Sequence, residues 1–65
     1  MNLILNGDSR EVPDGTTLHS LLQELKLTPD KVAVELNRRL VRSERYDTRL
    51  KDGDAVEVVT FVGGG

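Results

Sequence analysis

Apolar and polar residues alternate near both ends of the chain, and they repeat at helical spacing only once in between. In Asn2-Leu3-Ile4-Leu5-Asn6 a period of two puts Leu3 and Leu5 on one face of a strand and Ile4 on the other. Asn6-Gly7-Asp8 follows, supplying residues that tolerate the positive φ a tight hairpin demands. Residues 9–12 can then run back antiparallel, Arg10 and Val12 on one face, Ser9 and Glu11 on the other. Pro13 ends that strand because it has no N–H to give to the ladder. Leu18, Leu21, Leu22 and Leu25 recur at i, i+3, i+4 and i+7, which predicts one short helix with a single apolar stripe. Asp14-Gly15 breaks the preceding strand, and the hydroxyl of Thr16 or Thr17 is placed to cap the helix. Ser20 stands where a full capping box wants Glu or Gln, so the cap is expected to be partial. The helix should end near Lys26 or Leu27, since Pro29 disfavours helical geometry at Thr28.

Alternation then returns. Val32-Ala33-Val34-Glu35-Leu36 predicts a strand with Val32, Val34 and Leu36 inward, a turn at Asn37-Arg38-Arg39, and a short returning strand at Leu40-Val41. Residues 43–49 are polar and irregular, with room for a helical turn and with Tyr46 as the anchor to the core. Asp52-Gly53 marks another turn, and the last strand points Val56 and Val58 inward while Ala55, Glu57, Val59 and Phe61 face out.

The order is therefore a hairpin, one helix, and two or three further strands. Neither the hairpin nor the helix can bury its apolar face alone. One helix laid across a mixed sheet of four or five strands satisfies both, and a first strand beside the last makes the helix a crossover connection. The fold class this predicts is α+β, the ubiquitin-like β-grasp. Residues 1–60 form the domain and residues 61–65 a flexible Gly-Gly tail.

Composition narrows the chemistry. A chain of 65 residues makes one domain, with a thin core. It has no cysteine and a single histidine, His19, so disulfides, thiolate metal sites, histidine-cluster zinc sites and a thiol nucleophile have no residues to build on. His19 lies off the leucine stripe as a solvated side chain. An autonomous enzyme is not expected, because a catalytic pocket of ~300 Å³ or more is hard to carve from so small a core. The chain shows no export signal and no run of the ~20 apolar residues that a membrane span needs, so the expectation is a soluble, cytoplasmic protein.

A formal net charge of −2 argues against a general nucleic-acid binder, but the charge is unevenly spread. From Arg38 to Lys51 six cations (Arg38, Arg39, Arg42, Arg45, Arg49 and Lys51) stand against Glu44 and Asp47, a balance of +4. The rest of the chain carries three cations against nine anions, a balance of −6. Such a segment is either a solvated loop or a contact for an acidic partner or RNA. With only Tyr46 and Phe61 aromatic, a base-stacking platform has little support.

The sequence closes on Phe61-Val62-Gly63-Gly64-Gly65. Glycines without Cβ atoms can enter a channel too narrow for other residues. They present an α-carboxylate, ionised at neutral pH, as the reactive group. Gly65 is thus the candidate reacting residue, with Gly63 and Gly64 as its approach. Ile4, Val59 and Phe61 fall on the sheet face away from the helix, an apolar cluster expected to dock a partner.

These pieces resemble a known family. The first strand ending in Asn6-Gly7, the helix opening Thr17-Leu18 and the strand from Val32 to Asn37 carry the likeness. So do Leu50-x-Asp52-Gly53-Asp54-x-Val56-Glu57-Val58 and the terminal Phe61-Val62-Gly63-Gly64-Gly65. The chain is similar, along essentially its whole length, to the ThiS/MoaD-type ubiquitin-like family, and most of all to its thiamine-biosynthesis sulfur carriers. The departures are Ser20 in place of an acidic residue and Tyr46 where the aromatic is often Trp. The resemblance implies that an activating-enzyme-like adenylyltransferase of the ThiF type uses ATP to adenylate the carboxylate of Gly65. It implies that sulfur from a cysteine desulfurase or other persulfide donor displaces AMP to leave a thiocarboxylate. A thiazole synthase of the ThiG type would then take that sulfur into the thiazole moiety of thiamine. The carrier binds no cofactor itself, and neither metal, nucleic acid nor membrane enters the scheme. Three alternatives stay open: a carrier for another pathway such as molybdopterin synthesis, a ubiquitin-like modifier, and an interaction module using the basic segment.

Overall fold

Asn6 and Gly7 take φ values of 49° and 87°, closing a two-residue hairpin between β1 (Asn2–Leu5) and β2 (Asp8–Glu11). Its register sets Leu3 opposite Arg10 and Ile4 opposite Ser9. This is a computed structural model that describes residues 1–61; the expected tail glycines Gly63, Gly64 and Gly65 lie outside the described residues. After the hairpin come α1 (Leu18–Glu24), β3 (Val32–Leu36), β4 (Arg39–Val41) and β5 (Ala55–Thr60), with 3-10 turns at Pro29–Lys31 and Ser43–Arg45.

The five strands form one mixed sheet in the order β2-β1-β5-β3-β4. The first and last strands do lie side by side, parallel, through Ile4–Ala55 and Leu5–Val56. A parallel neighbour cannot be reached by a tight turn, so the intervening chain crosses over one face as α1. Leu18, Leu21 and Leu22 are buried there against Leu3, Val34, Val56 and Val58. Val12, Tyr46 and Leu50 complete the buried core, and Leu5, Leu25 and Leu36 pack at its margin. Arg10 and Glu24 tie the hairpin to the helix with an ion pair of 2.8 Å.

Two helix-end expectations are corrected. The capping box is complete rather than partial: Thr17 Oγ1 accepts from the Ser20 N–H at 3.0 Å, and Ser20 Oγ accepts from the Thr17 N–H at 2.8 Å. The shorter serine suffices because its hydroxyl also donates to the Thr17 carbonyl, at 3.0 Å, which holds it over the N-cap. The helix stops earlier than Lys26 or Leu27. Leu25 is the C-cap and Lys26 turns left-handed at φ 61°. The Leu27 N–H then bonds to the Leu22 carbonyl at 2.9 Å and the Lys26 N–H to that of Gln23 at 3.0 Å, the paired bonds of a Schellman end. The stop is built into the last turn and does not wait for Pro29.

Candidate functional site

β5 occupies the middle of the sheet, and its two neighbours hold it unequally. β3 pairs with it over five residues, Val32–Thr60 through Leu36–Val56, and the ladder is prolonged when the Phe61 N–H bonds to the Lys31 carbonyl at 2.8 Å. β1 meets it over two residues only. The Asn6 side chain extends that edge, accepting from the Val58 N–H at 2.8 Å and donating to the Val58 carbonyl at 3.2 Å. An amide side chain thereby stands in for strand backbone. From Val58 onward β5 is gripped from the β3 side, so the chain reaches Phe61 from the centre of the sheet.

The candidate docking residues all lie on the face away from α1. Ile4 is 39% exposed, Val59 59% and Phe61 55%. They do not form one continuous cluster. Ile4 is level with Ala55, whereas Val59 is level with Ala33 and sits four residues further along β5, roughly 13 Å away at the usual strand rise. Between them Glu57 faces Glu35 directly across the β3–β5 ladder. Two like charges in such a pair repel, and neither carboxylate has an ion-pair partner among the described residues. Leu40, 68% exposed and opposite Glu35, joins the same face from β4. The surface is thus two apolar ends around an acidic middle. Leu40 was legible as a short strand but not as part of this face. The two-residue turn at Asn37-Arg38 sets it opposite Glu35, and that register was the available signal.

Other candidate groups lie elsewhere. The His19 side chain is exposed on the early helix, and its backbone N–H donates to the Tyr46 carbonyl at 2.7 Å. Tyr46 is 5% exposed, and burial raises its hydroxyl above the ordinary value of 10.0. Arg38, Arg39, Arg42 and Arg45 are exposed around β4, at one edge of the sheet. Among the described residues no group of three or more His, Cys, Asp or Glu side chains could hold a metal ion, and no helix is long and apolar enough to cross a membrane.

One helix packed over a five-stranded mixed sheet with parallel first and last strands is the ubiquitin-like β-grasp. Within that class the likeness is specific. The thiamine biosynthesis protein ThiS of Geobacter metallireducens, known from a crystal structure, superposes with a TM-score of 0.82 at 40% identity, each chain covered completely. The sulfur carrier protein ThiS of Bacillus subtilis is 42% identical over 65 residues, covering 97% of this chain and 98% of the relative. A thiazole synthase from Magnetococcus marinus is 44% identical over 66 residues. This chain is matched in full there but spans 20% of that enzyme's length, as it does for the thiazole synthase of Paramagnetospirillum magneticum. The sequence model of the ThiS family matches residues 3–65, and the chain belongs to that family.

Proposed function

We propose that this protein is a sulfur carrier in the biosynthesis of the thiazole moiety of thiamine, a co-substrate and not a catalyst. The observation that carries the reading is the family match, which runs through Gly65 and so includes the Gly-Gly end as well as the fold. In this scheme residues 61–65 act as the tail and residues 1–60 as the handle. The Gly65 carboxylate attacks the α-phosphate of ATP on a ThiF-type adenylyltransferase, releasing pyrophosphate and forming the acyl adenylate, because a carboxylate is a poor acyl donor and AMP is a good leaving group. The terminal sulfur of a persulfide donor displaces AMP to give an acyl disulfide. A second thiol reduces that S–S bond to release the thiocarboxylate and is itself left in a disulfide with the donor. A ThiG-type thiazole synthase consumes the thiocarboxylate. The two thiazole synthases that contain a matching module support that last partner. The handle contributes binding and positioning, an advantage that can reach several orders of magnitude in rate. The setting is the cytoplasm, where ATP and cysteine-derived sulfur are both available.

Intact-mass spectrometry after incubation with ATP, cysteine and host extract tests the scheme. One oxygen exchanged for sulfur is expected, localised to the terminal fragment so that oxidation of Met1 is not mistaken for it. A terminus left unmodified in an extract shown to thiolate a known carrier would overturn the reading. Isopeptide conjugates through Gly65 would instead indicate a protein modifier.

A further inference from the structure

We propose that the outer edge of β4 docks an extended acidic segment of a partner protein, which joins the sheet as a sixth strand beside Arg39–Val41. This goes beyond the sulfur-carrier reading and does not rest on it. β4 is the last strand on its side of the sheet, and no further strand covers it among the described residues. An uncovered edge presents backbone donors and acceptors ready to pair with another chain. The edge is ringed by Arg38, Arg39, Arg42 and Arg45, all exposed and none in an ion pair among the described residues. Leu40, in the middle of the strand, is 68% exposed.

Beside this edge a groove of about 320 Å³ opens where β4 runs into the Ser43–Arg45 turn. Val32, Leu40, Val41 and Tyr46 give it an apolar floor, with Arg42 and Glu44 also lining it. Glu44 disfavours an acid at that one point, so the side chain that enters the groove is apolar and the acids of the incoming strand meet the arginines around it.

Charge at a sheet edge commonly guards against self-pairing. Its sign decides what it guards against. Arginines repel a second copy of β4 and attract a strand of opposite charge. Main-chain bonds then supply affinity, while the arginines and the groove supply selection, as in strand-addition recognition generally. A nucleic acid fits less well, because the nearby aromatic ring, Tyr46, is buried and offers no stacking surface.

The test is a nuclear magnetic resonance titration of the labelled full chain with a blocked peptide of alternating glutamate and valine. We expect saturable shifts confined to residues 38–46, slowed amide exchange within 39–42, and weakening at high salt. The double variant Arg39→Glu, Arg42→Glu should keep the spectrum of the folded protein and bind at least ~10-fold more weakly. Shifts that do not saturate, that fall on other elements, or that come without slowed exchange would overturn strand addition. An oligouridylate that saturates the same amides more tightly than the peptide would reassign the edge to RNA. Concentration-dependent shifts without peptide would reassign it to self-pairing, with Asp8 and Glu11 on the β2 edge as the complementary charges.

Discussion

At the scale of single residues, small polar side chains do work that length alone would assign to larger ones. Thr17 and Ser20 satisfy each other's backbone N–H groups at a helix only seven residues long. A helix that short depends on its ends. Replacing Thr17 with Ala should cost about 1 kcal/mol. A thermal melt should fall by ~4–8 °C for a domain of this size, and an unchanged midpoint would show that Ser20 caps alone. Tyr46 gives a pH signature. Burial raises its hydroxyl in the folded state, so the folded protein holds the proton more tightly than the unfolded one. The associated stability is fully present below about pH 10 and is lost as pH rises beyond it. Against its Tyr46→Phe variant, the protein's relative stability should be flat up to that point and fall above it. A difference that stays flat to higher pH would remove Tyr46 from the alkaline transition.

At the scale of elements, the sheet is unevenly joined. β3 and β5 share a five-residue ladder, but β1 and β5 share two residues and the Asn6 side chain. Asn6→Ala removes both side-chain bonds to Val58 and places a less tolerant residue at φ 49°. It should cost ~1–3 kcal/mol. Amide exchange should quicken first along the β1–β5 seam; uniform quickening would mean that the seam is no weaker than the rest. Much of this level was legible in the sequence. Asn6-Gly7 announced the hairpin, the leucine spacing announced α1, and the alternation in Val32 to Leu36 and Ala55 to Phe61 announced two strands with the correct inward faces. The helix terminus was not legible, because Lys26 is not a residue that advertises a left-handed backbone. Its conformation follows from the bonds its turn makes back to Leu22 and Gln23.

At the scale of the whole molecule, the handle presents two surfaces of different character. The open sheet face carries apolar ends around Glu35 and Glu57, and the β4 edge carries arginines. Val59, at the Phe61 end of that face, is exposed and can be changed without opening the core. If the face seats the adenylyltransferase, Val59→Glu should slow thiocarboxylate formation by ~10-fold, the equivalent of about 1.4 kcal/mol, with an unchanged melt. Equal rates would exclude the Val59 end from that contact, and the matching change at Ile4 would then show whether the other end serves. Deleting Gly64 and Gly65 should abolish the reaction while leaving the folded spectrum intact. Residual thiocarboxylate would place the reacting carboxylate elsewhere.

Which residues face inward, and where the hairpin and helix begin, could be read from the linear sequence. Each of these depends on local spacing and backbone preference, which a linear string records. It took the folded sheet to show that Glu57 faces Glu35, that Leu40 shares the face with Ile4 and Val59, and that the acidic row divides Ile4 from Val59. Strand order and register bring these residues together from distant parts of the chain. They are fixed by how one helix and five strands bury a single core, and no local pattern carries that information.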